Sequence, residues 1–266
     1  MGQSRTISRR FFALRKPSPA AKIRDYKAEE YRFVRMVDRK FLDGRAAKVL
    51  DLGCGEGALD AMLSKHYSVT GVDRDPKAIR RARKTAKRAR FINADMLSLS
   101  MPERFDMIVS ADAIDHGPKL RRAFESVLRI ARSHLSEGGT LVFDIGFVKE
   151  LWKNDAVKTY TVSDGATRYI RVFGRSAEGN SGRYYDVFIK SGAQSASAES
   201  YSGTSDCLLS LDGITSILKK LGFTVTVYDG WSNRVFKSVG NDSPVFVAVK
   251  AARDGRNGNR IGLMIF

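Results

Sequence analysis

The sequence places a carboxylate and three glycines directly after a short apolar run, in VLDLGCGEG at residues 49–57. Gly53, Gly55 and Gly57 allow a tight turn and a close backbone approach to a ligand that a β-carbon would block. The G-x-G-x-G spacing differs from the G-x-G-x-x-G of dinucleotide sites, and the charge of Asp51 would face a pyrophosphate. A ligand that carries an ammonium and a sulfonium group suits this loop better.

Two more carboxylates follow the next two apolar runs. Asp73 ends SVTGVD, sixteen residues after Gly57, and Asp95 ends FINAD. A carboxylate at the position of Asp73 can accept hydrogen bonds from both hydroxyls of a ribose. Asp95 is suited to accept a hydrogen bond from an adenine amino group. Together the three acids predict a nucleoside ligand with a cationic end.

These residues need a scaffold that brings the ends of several strands together. Apolar runs ended by glycine or aspartate predict buried strands, and helical spacing lies between them. The predicted strands cover residues 47–52, 67–73, 91–95, 105–112 and 138–146, and the predicted helices cover 25–42, 56–65, 76–90 and about 119–135. Strands that alternate with helices indicate a doubly wound α/β sheet with right-handed crossovers.

The pattern changes in the second half of the chain. Residues 157–206 alternate polar and apolar positions between turn residues and carry no helical signal, which predicts an antiparallel β insertion. A helix at 211–222 follows, and the last two strands, FTVTVYDGW and SPVFVAVK, are predicted to pair antiparallel at one edge of the main sheet.

The successive motifs VLDLGCGEG, VTGVDRDP, FINADM, FDMIVSADAIDH and LSEGGTLVFDIG resemble those of class I S-adenosylmethionine-dependent methyltransferases over about residues 45–146. The resemblance implies a seven-stranded, mostly parallel sheet of order 3-2-1-4-5-7-6. It also implies that S-adenosylmethionine is bound and S-adenosylhomocysteine released. The implied cofactor-binding residues are Asp51, Gly53, Cys54, Gly55, Gly57, Asp73, Arg74, Asp95, Met96, Ser110 and Ala111.

A second, looser resemblance concerns the small-molecule branch of that family. RDYKAEE at residues 24–30 is similar to the element that precedes the core there, which implies that Tyr26 closes over the cofactor. The insertion at about 150–206 takes the place of the lid or substrate wall of that branch. Its tyrosines could line an acceptor or simply be half-buried strand residues: Tyr169, Tyr184, Tyr185 and Tyr201.

Methyl transfer to a nucleophile needs alignment and exclusion of water more than acid–base chemistry. A general base helps only where the acceptor is protonated. His116, in the loop DAIDHG after the fourth strand, is the first candidate base because histidine titrates near neutral pH. Asp112 and Asp115 in the same loop are candidates for binding an acceptor amine. A capping or packing role for His116 is the alternative, and Cys54 is read as a small loop residue rather than a nucleophile.

The net charge of +17 keeps a second kind of acceptor open. Residues 77–90 hold eight Lys or Arg in fourteen positions, which is either a solvated helix face or a phosphate-binding surface for RNA. The loop after the fourth strand, SADA, lacks the N/D-P-P-Y/F element used in methylation of base amines. No Pro-Cys pair that could attack a pyrimidine follows strand four or five.

The remaining features exclude several classes of protein. The two cysteines and three histidines have no metal-ligand spacing, no apolar run can span a bilayer, and a reducing compartment, the cytoplasm, is expected. Residues 1–24 carry seven Lys or Arg and no acid. They are interpreted as a basic arm, with incomplete export, myristoylation and mitochondrial signals as alternatives.

The sequence therefore predicts a methyltransferase domain at residues 25–250, with its core at 45–146 and 207–250, between the arm at 1–24 and a tail at 251–266. The predicted reaction is methyl transfer to an N or O atom of a small molecule. Two alternatives remain: methylation of RNA or another anionic macromolecule, and a scaffold that binds the cofactor without catalysis. A metal is not expected, and the oligomeric state is open.

Overall fold

The computed structural model describes residues 25–114, 120–152, 156–205, 208–237 and 243–251. The main sheet contains seven strands: β1 (Lys48–Leu52), β2 (Ser68–Asp73), β3 (Arg90–Asn93), β4 (Phe105–Ser110), β5 (Leu135–Asp144), β10 (Phe223–Tyr228) and β11 (Val245–Lys250). Their order is β10-β11-β5-β4-β1-β2-β3. β11 is antiparallel to both β5 and β10, and the other pairs are parallel. The predicted fold class and strand order are confirmed.

Helices cover both faces of this sheet because its central strands are buried on both sides. One face packs under α4 (Leu120–His134) and α5 (Leu211–Lys220) around Leu50 and Ile108. The other packs under α1 (Tyr26–Phe41) and α2 (Ala58–Leu63) around Val49 and Val109. Alternate residues of β1 and β4 thus serve opposite cores, as the two-residue period of a strand requires.

The predicted basic helix is shorter than the sequence indicated. Helix α3 spans Pro76–Thr85, with Asp75 accepting a hydrogen bond from the backbone N–H of Lys77 as its N-cap. The helical hydrogen bonds end at Ala86, which is buried, and residues 86–89 turn so that the chain can enter β3 at Arg90. The extension of the helix to residue 90 was wrong, because the buried Ala86 fixes the turn before the next strand.

Two strand boundaries also differ from the prediction. β3 ends at Asn93, so Asp95 lies in the following loop and not at the strand end. β5 begins at Leu135, directly after α4, and a β-bulge shifts its register against β4 between Phe105 and Met107. Gly138, with a φ of +73°, lies in this irregular segment. The bulge explains why an alternation pattern in the sequence detects only the later part of β5.

The insertion forms a separate four-stranded antiparallel sheet, called the lid sheet below, of β6 (Ala156–Asp164), β7 (Thr167–Glu178), β8 (Ser181–Ser191) and β9 (Ala196–Ser205). Its strands follow one another in sequence order, as expected of a β-meander. The antiparallel insertion is confirmed. The arm at residues 1–24 and the tail from residue 252 lie outside the described residues, and the domain boundaries remain predictions.

Candidate functional site

The glycine loop connects β1 to α2 and is held against β2. The N–H groups of Gly53 and Cys54 both donate to the carbonyl of Val72, at 2.8 and 3.0 Å. Gly53 and Gly57 have φ values of +80° and +79°, which favour glycine. A β-carbon on Gly57 would press on Ala82 of α3, and one on Gly53 would collide with Ala113. The loop is therefore packed on two sides.

The middle glycine of the loop, Gly55, faces open space. A β-carbon built on Gly55 would have no neighbour within 4 Å. The N–H of Gly55 donates to Oδ2 of Asp73 at 2.9 Å, and the N–H of Asp75 donates to Oδ1 at 2.8 Å. These two bonds hold the Asp73 carboxylate at the end of β2, next to the loop. The exposed side chain of Arg74 follows directly.

The third predicted carboxylate, Asp95, lies in a loop that α4 fixes in place. Oδ1 of Asp95 accepts a hydrogen bond from the N–H of Leu97 at 2.9 Å. The guanidinium of Arg129 donates to three carbonyls of the same loop: Met96 at 3.1 Å, Leu97 at 3.2 Å and Leu99 at 2.9 Å. Met96 packs partly buried against the core. Arg129 was not singled out in the sequence, because an arginine on a helix gives no sign of which carbonyls it meets.

Asp51 lies at the centre of the site and has a neighbour that the sequence analysis missed. Asp51 is 3% exposed and pairs in register with Gly71 of β2. Asp60 of α2 is fully buried, and its Oδ1 would lie 2.8 Å from a β-carbon on Gly71. Neither carboxylate oxygen of Asp60 meets a donor in hydrogen-bonding geometry within the described parts of the chain. A hydrogen bond between Asp51 and Asp60 therefore needs a proton, since carboxylates only accept.

The electrostatics of this acid pair follow from its burial. Burial and the charge of Asp60 hold the pKa of Asp51 well above its usual range. Burial likewise raises the pKa of Asp60 to about 7. The signal for Asp60 in the sequence is its place in ALDAML, where helical spacing puts it between the buried Leu59 and Leu63.

Lys27 of α1 brings positive charge to the same site. Its ammonium lies 2.8 Å from Glu30 and 3.8 Å from Asp112. Burial alone would lower the pKa of Lys27, but Glu30, Asp112 and Asp51 together raise it above its ordinary value. Glu30 is fully buried, and this burial raises its pKa to about 8 despite the neighbouring ammonium. Lys27 thus links the first helix to the loop after β4.

The loop after β4 carries the predicted acceptor residues. Ser110 is fully buried and its hydroxyl donates to the carbonyl of Leu52 at 3.4 Å, while Ala111 is 7% exposed. Asp112 has a φ of +53°, and its N–H donates to the buried Asp144 at 2.9 Å. The side chain of Asp112 is about half exposed. Asp115 and His116 lie outside the described residues, so their proposed roles remain predictions.

The thiol of Cys54 is buried in the glycine loop and forms no disulfide. Burial, together with the charges of Asp51, Asp60 and Asp73, raises its pKa above the ordinary range. The protonated thiol is a poor nucleophile, which agrees with the interpretation of Cys54 as a small packing residue. No group of three potential metal ligands occurs in the parts of the chain that the structure describes.

Tyr26 lies in the first turn of α1 and touches the lid sheet. Its hydroxyl accepts a hydrogen bond of 2.8 Å from Nη1 of Arg171 in β7. Arg171 also forms an ion pair with the buried Asp186 of β8, with bonds of 2.7, 3.0 and 3.2 Å. The rings of Phe173 and Phe188 lie near its guanidinium, with their centroids 5.6 and 5.4 Å from Cζ. Tyr26 was predicted from a sequence motif, but the alternation of polar and apolar residues in the insertion does not identify Arg171 as its partner.

Comparison with known proteins agrees with this geometry. Residues 49–139 match the family model described as a methyltransferase domain. An uncharacterised methyltransferase of Mycobacterium tuberculosis is 36% identical over 97 residues, 35% of this chain and 47% of that protein. A ubiquinone biosynthesis O-methyltransferase of Pseudomonas putida is 32% identical over 114 residues, 39% of this chain and 47% of that protein. The chain thus spans about half the length of these curated relatives.

Solved structures extend the likeness to the whole fold. An S-adenosylmethionine-bound amino pentose methyltransferase from Micromonospora echinaspora aligns with a TM-score of 0.68 at 20% identity, covering 85% of this chain and 91% of that one. DesVI of Streptomyces venezuelae aligns with the same score and identity, covering 94% and 100%. At this identity the structures establish the fold. Residues 49–139, which contain the first of the predicted motifs, are the part of the chain that matches a methyltransferase domain.

Proposed function

We propose that this protein is an S-adenosylmethionine-dependent methyltransferase that acts on an N or O atom of a small-molecule acceptor. One observation carries the proposal. The carboxylates of Asp51 and Asp73 lie at the carboxyl ends of β1 and β2, and Asp95 lies in the loop after β3. In an open α/β sheet these strand ends form the ligand crevice.

The residues present fit the cofactor. The open space at Gly55 leaves room for a ligand against the loop backbone. Among the described residues, Lys27 is the cation whose charge favours the ionised forms of the buried Asp51 and Asp60. The ammonium group of the cofactor would add a second positive charge beside them. Asp51 and the loop from Gly53 to Gly57 would therefore hold the methionine part.

The other end of the cofactor would lie along β2 and β3. Asp73, whose carboxylate is already oriented by two N–H groups, would accept from the ribose hydroxyls beside Arg74. Asp95 and Met96 would contact the adenine. Ser110 and Ala111 would lie near the sulfonium, and Tyr26 would cover the site from α1.

The chain's own contribution to the reaction is positioning. The bound sulfonium supplies a methyl group that is already activated for displacement in line with the sulfur. The protein must then orient the acceptor and exclude water, which accounts for much of the rate in such a step. In this proposal Tyr26 and the lid sheet, which are joined through Arg171, exclude water. Asp112 binds an acceptor amine in this proposal, Asp115 assists, and His116 takes the acceptor proton.

The position of the lid sheet favours a small acceptor over a polymer. Its Arg171 contacts Tyr26 of α1, and the ring of its Tyr184 lies 5.9 Å from that of Phe147 after β5. Through these two contacts the sheet forms a wall beside the strand ends. The names of a curated relative and of a solved neighbour, a ubiquinone biosynthesis enzyme and an amino pentose methyltransferase, also point to small acceptors.

RNA is the second candidate acceptor, because the surface of α3 leaves cations unpaired. Arg81 is bound by Glu56 at 2.7 Å and Arg90 by Glu103 at 2.9 Å. In contrast, Lys77, Arg80 and Lys84 are exposed and meet no carboxylate among the described residues. A triple Gln variant at these three positions tests this candidate. It should leave methyl transfer to a small acceptor unchanged. If the acceptor is RNA, the variant should bind RNA more weakly, and its binding should depend less on salt concentration.

The cofactor assignment is tested by calorimetric titration with S-adenosylmethionine, S-adenosylhomocysteine and NAD. The proposal expects binding of the first two in the micromolar range, about −8 kcal/mol, and none of NAD. Binding of NAD alone would overturn it.

In the part of the chain that the structure describes, none of the helices has the length and apolar character needed to cross a bilayer. A cytoplasmic location remains a proposal.

A further inference from the structure

The lid sheet turns one face toward the methyltransferase core, called the inner face here. Side chains alternate along a strand, so Arg171, Phe173 and Arg175 of β7 share this face. Arg175 pairs in register with Tyr184 of β8, whose ring lies near Phe147. On the same strand, a β-carbon on Gly182 would meet the ring of Trp152 at 2.9 Å. The inner face therefore packs on the segment that follows β5.

The two arginines of the inner face differ in their partners. Arg171 is neutralised by the buried carboxylate of Asp186. Arg175 has no such partner: its Nε is buried without a hydrogen-bond acceptor, and no carboxylate pairs with it among the described residues. Burial lowers the pKa of Arg175, opposed only by Tyr160. A half-buried guanidinium without a counter-ion is unfavourable for the folded protein unless a ligand supplies one.

Arg175 lies on the acceptor side of the site rather than on the cofactor side. Its cross-strand neighbour Tyr184 contacts Phe147, which follows the carboxyl end of β5. The last residue of that strand, Asp144, accepts the N–H of Asp112 in the predicted acceptor loop. The carboxylates that fit the cofactor belong to β1, β2 and the loop after β3, on the other side of β4.

We propose that Arg175 binds an anionic group of the acceptor, a phosphate or a carboxylate, at a distance from the atom that is methylated. This proposal rests on the proposed function and adds the chemistry of the acceptor to it. The planar guanidinium matches the paired oxygens of either anion. The ring of Tyr184 opposite Arg175 and that of Phe173 two residues along provide an apolar wall beside the anion. Arg171 is not the candidate, because Asp186 already neutralises its charge and each of its three nitrogens already donates to Asp186 or Tyr26.

The test uses the full chain saturated with S-adenosylhomocysteine, titrated in a calorimeter with inorganic pyrophosphate and, separately, with malonate. Arg175→Gln is compared with Arg183→Gln. Arg183 is exposed and pairs with Ser176, so it lies on the opposite face of the same sheet and its loss removes the same charge. Arg175→Lys keeps the charge but loses the planar guanidinium that can bind two oxygens at once.

The wild-type protein should bind at least one probe, and the tighter one identifies phosphate or carboxylate. Arg175→Gln should weaken that binding about tenfold or more, Arg175→Lys by less, and Arg183→Gln less than about twofold. Equal weakening by Arg175→Gln and Arg183→Gln would show general attraction to a basic protein and overturn the proposal, as would no binding to the wild type. If the affinity for S-adenosylhomocysteine is unchanged in every variant, the proposed cofactor site is intact. A failure of the anion proposal at Arg175 is then distinguished from a failure of the proposed function.

Discussion

Nη1 of Arg171 lies 2.8 Å from the hydroxyl of Tyr26 and joins the lid sheet to the first helix. The ion pair with Asp186 holds the guanidinium in place, and its Nη1 is the donor directed at α1. If Tyr26 covers the cofactor, Arg171 is the residue that positions it. The lid sheet, as the wall of the acceptor site, and Tyr26, as the cover of the cofactor site, are then joined by this hydrogen bond.

This connection predicts a coupled effect of two substitutions. Tyr26→Phe keeps the ring and loses the acceptor of the hydrogen bond, and Arg171→Lys keeps the charge beside Asp186. Each should weaken binding of S-adenosylmethionine about three- to tenfold, as expected for one hydrogen bond. The double variant should be no weaker than the weaker single one, because both remove the same interaction. Calorimetry measures all four proteins, and multiplied effects would show that the residues act independently.

Asp73→Ala should weaken binding of S-adenosylmethionine at least about tenfold, because charge-assisted hydrogen bonds to the ribose are lost. Asp75→Ala is the matched control. It removes the N-cap of α3 two residues away and should cost about 1 kcal/mol of stability without a comparable loss of affinity. Unchanged affinity in Asp73→Ala would remove this residue from the site.

Asp60→Asn should change the pH dependence of stability. Burial raises the pKa of Asp60 to about 7 in the folded protein, above the value of an unfolded aspartate. Between those values the folded state binds a proton that the unfolded state does not, so stability falls as the pH rises toward 7. The variant should therefore be more stable than wild type at pH 8, by about 2–4 kcal/mol, and similar near pH 4.

Urea unfolding of the ligand-free protein at pH 4, 6 and 8 measures this difference. Glu178→Gln, an exposed carboxylate at the end of β7, serves as the control and should give no pH-dependent gain. A variant less stable than wild type at pH 8 would mean that the charged Asp60 is stabilised by its surroundings, contrary to the burial argument.

His116→Ala should lower turnover about a hundredfold if His116 is the general base, with cofactor affinity nearly unchanged. His66→Ala is a suitable comparison, since this histidine is exposed and stacks on Tyr31 of α1, at 6.2 Å between ring centroids. Steady-state kinetics and calorimetry together separate the two effects. Full activity in His116→Ala would assign this residue to the structure of its loop.

Local sequence signals predicted the parts of the site that belong to single strands and their loops. Asp51, the three glycines and Asp73 follow from one rule, that a glycine-rich turn and an acid end a buried strand. The strand order was implied by the resemblance to class I methyltransferases, and the predicted terminal antiparallel pair agreed with it. The loop and the acids at the strand ends need no information about distant residues.

Contacts between distant segments could not be predicted in the same way. Arg171 and Tyr26 are 145 positions apart, and their contact depends on how the lid sheet packs on α1. Asp60 resembled an ordinary polar residue of a short helix until the packing of α2 against β2 placed it beside Asp51. The end of α3 at Thr85 was missed because Lys and Arg continue the helical composition beyond the turn.

Transfer of a labelled methyl group tests the central claim most directly. The protein is incubated with methyl-labelled S-adenosylmethionine and a host extract that has been separated into small-molecule, nucleic-acid and protein fractions. Asp73→Ala serves as the control for label that is not enzyme-dependent. The proposed function predicts label in the small-molecule fraction with the wild type and a strongly reduced amount with the variant. Label in RNA, or equal label with both proteins, would contradict it.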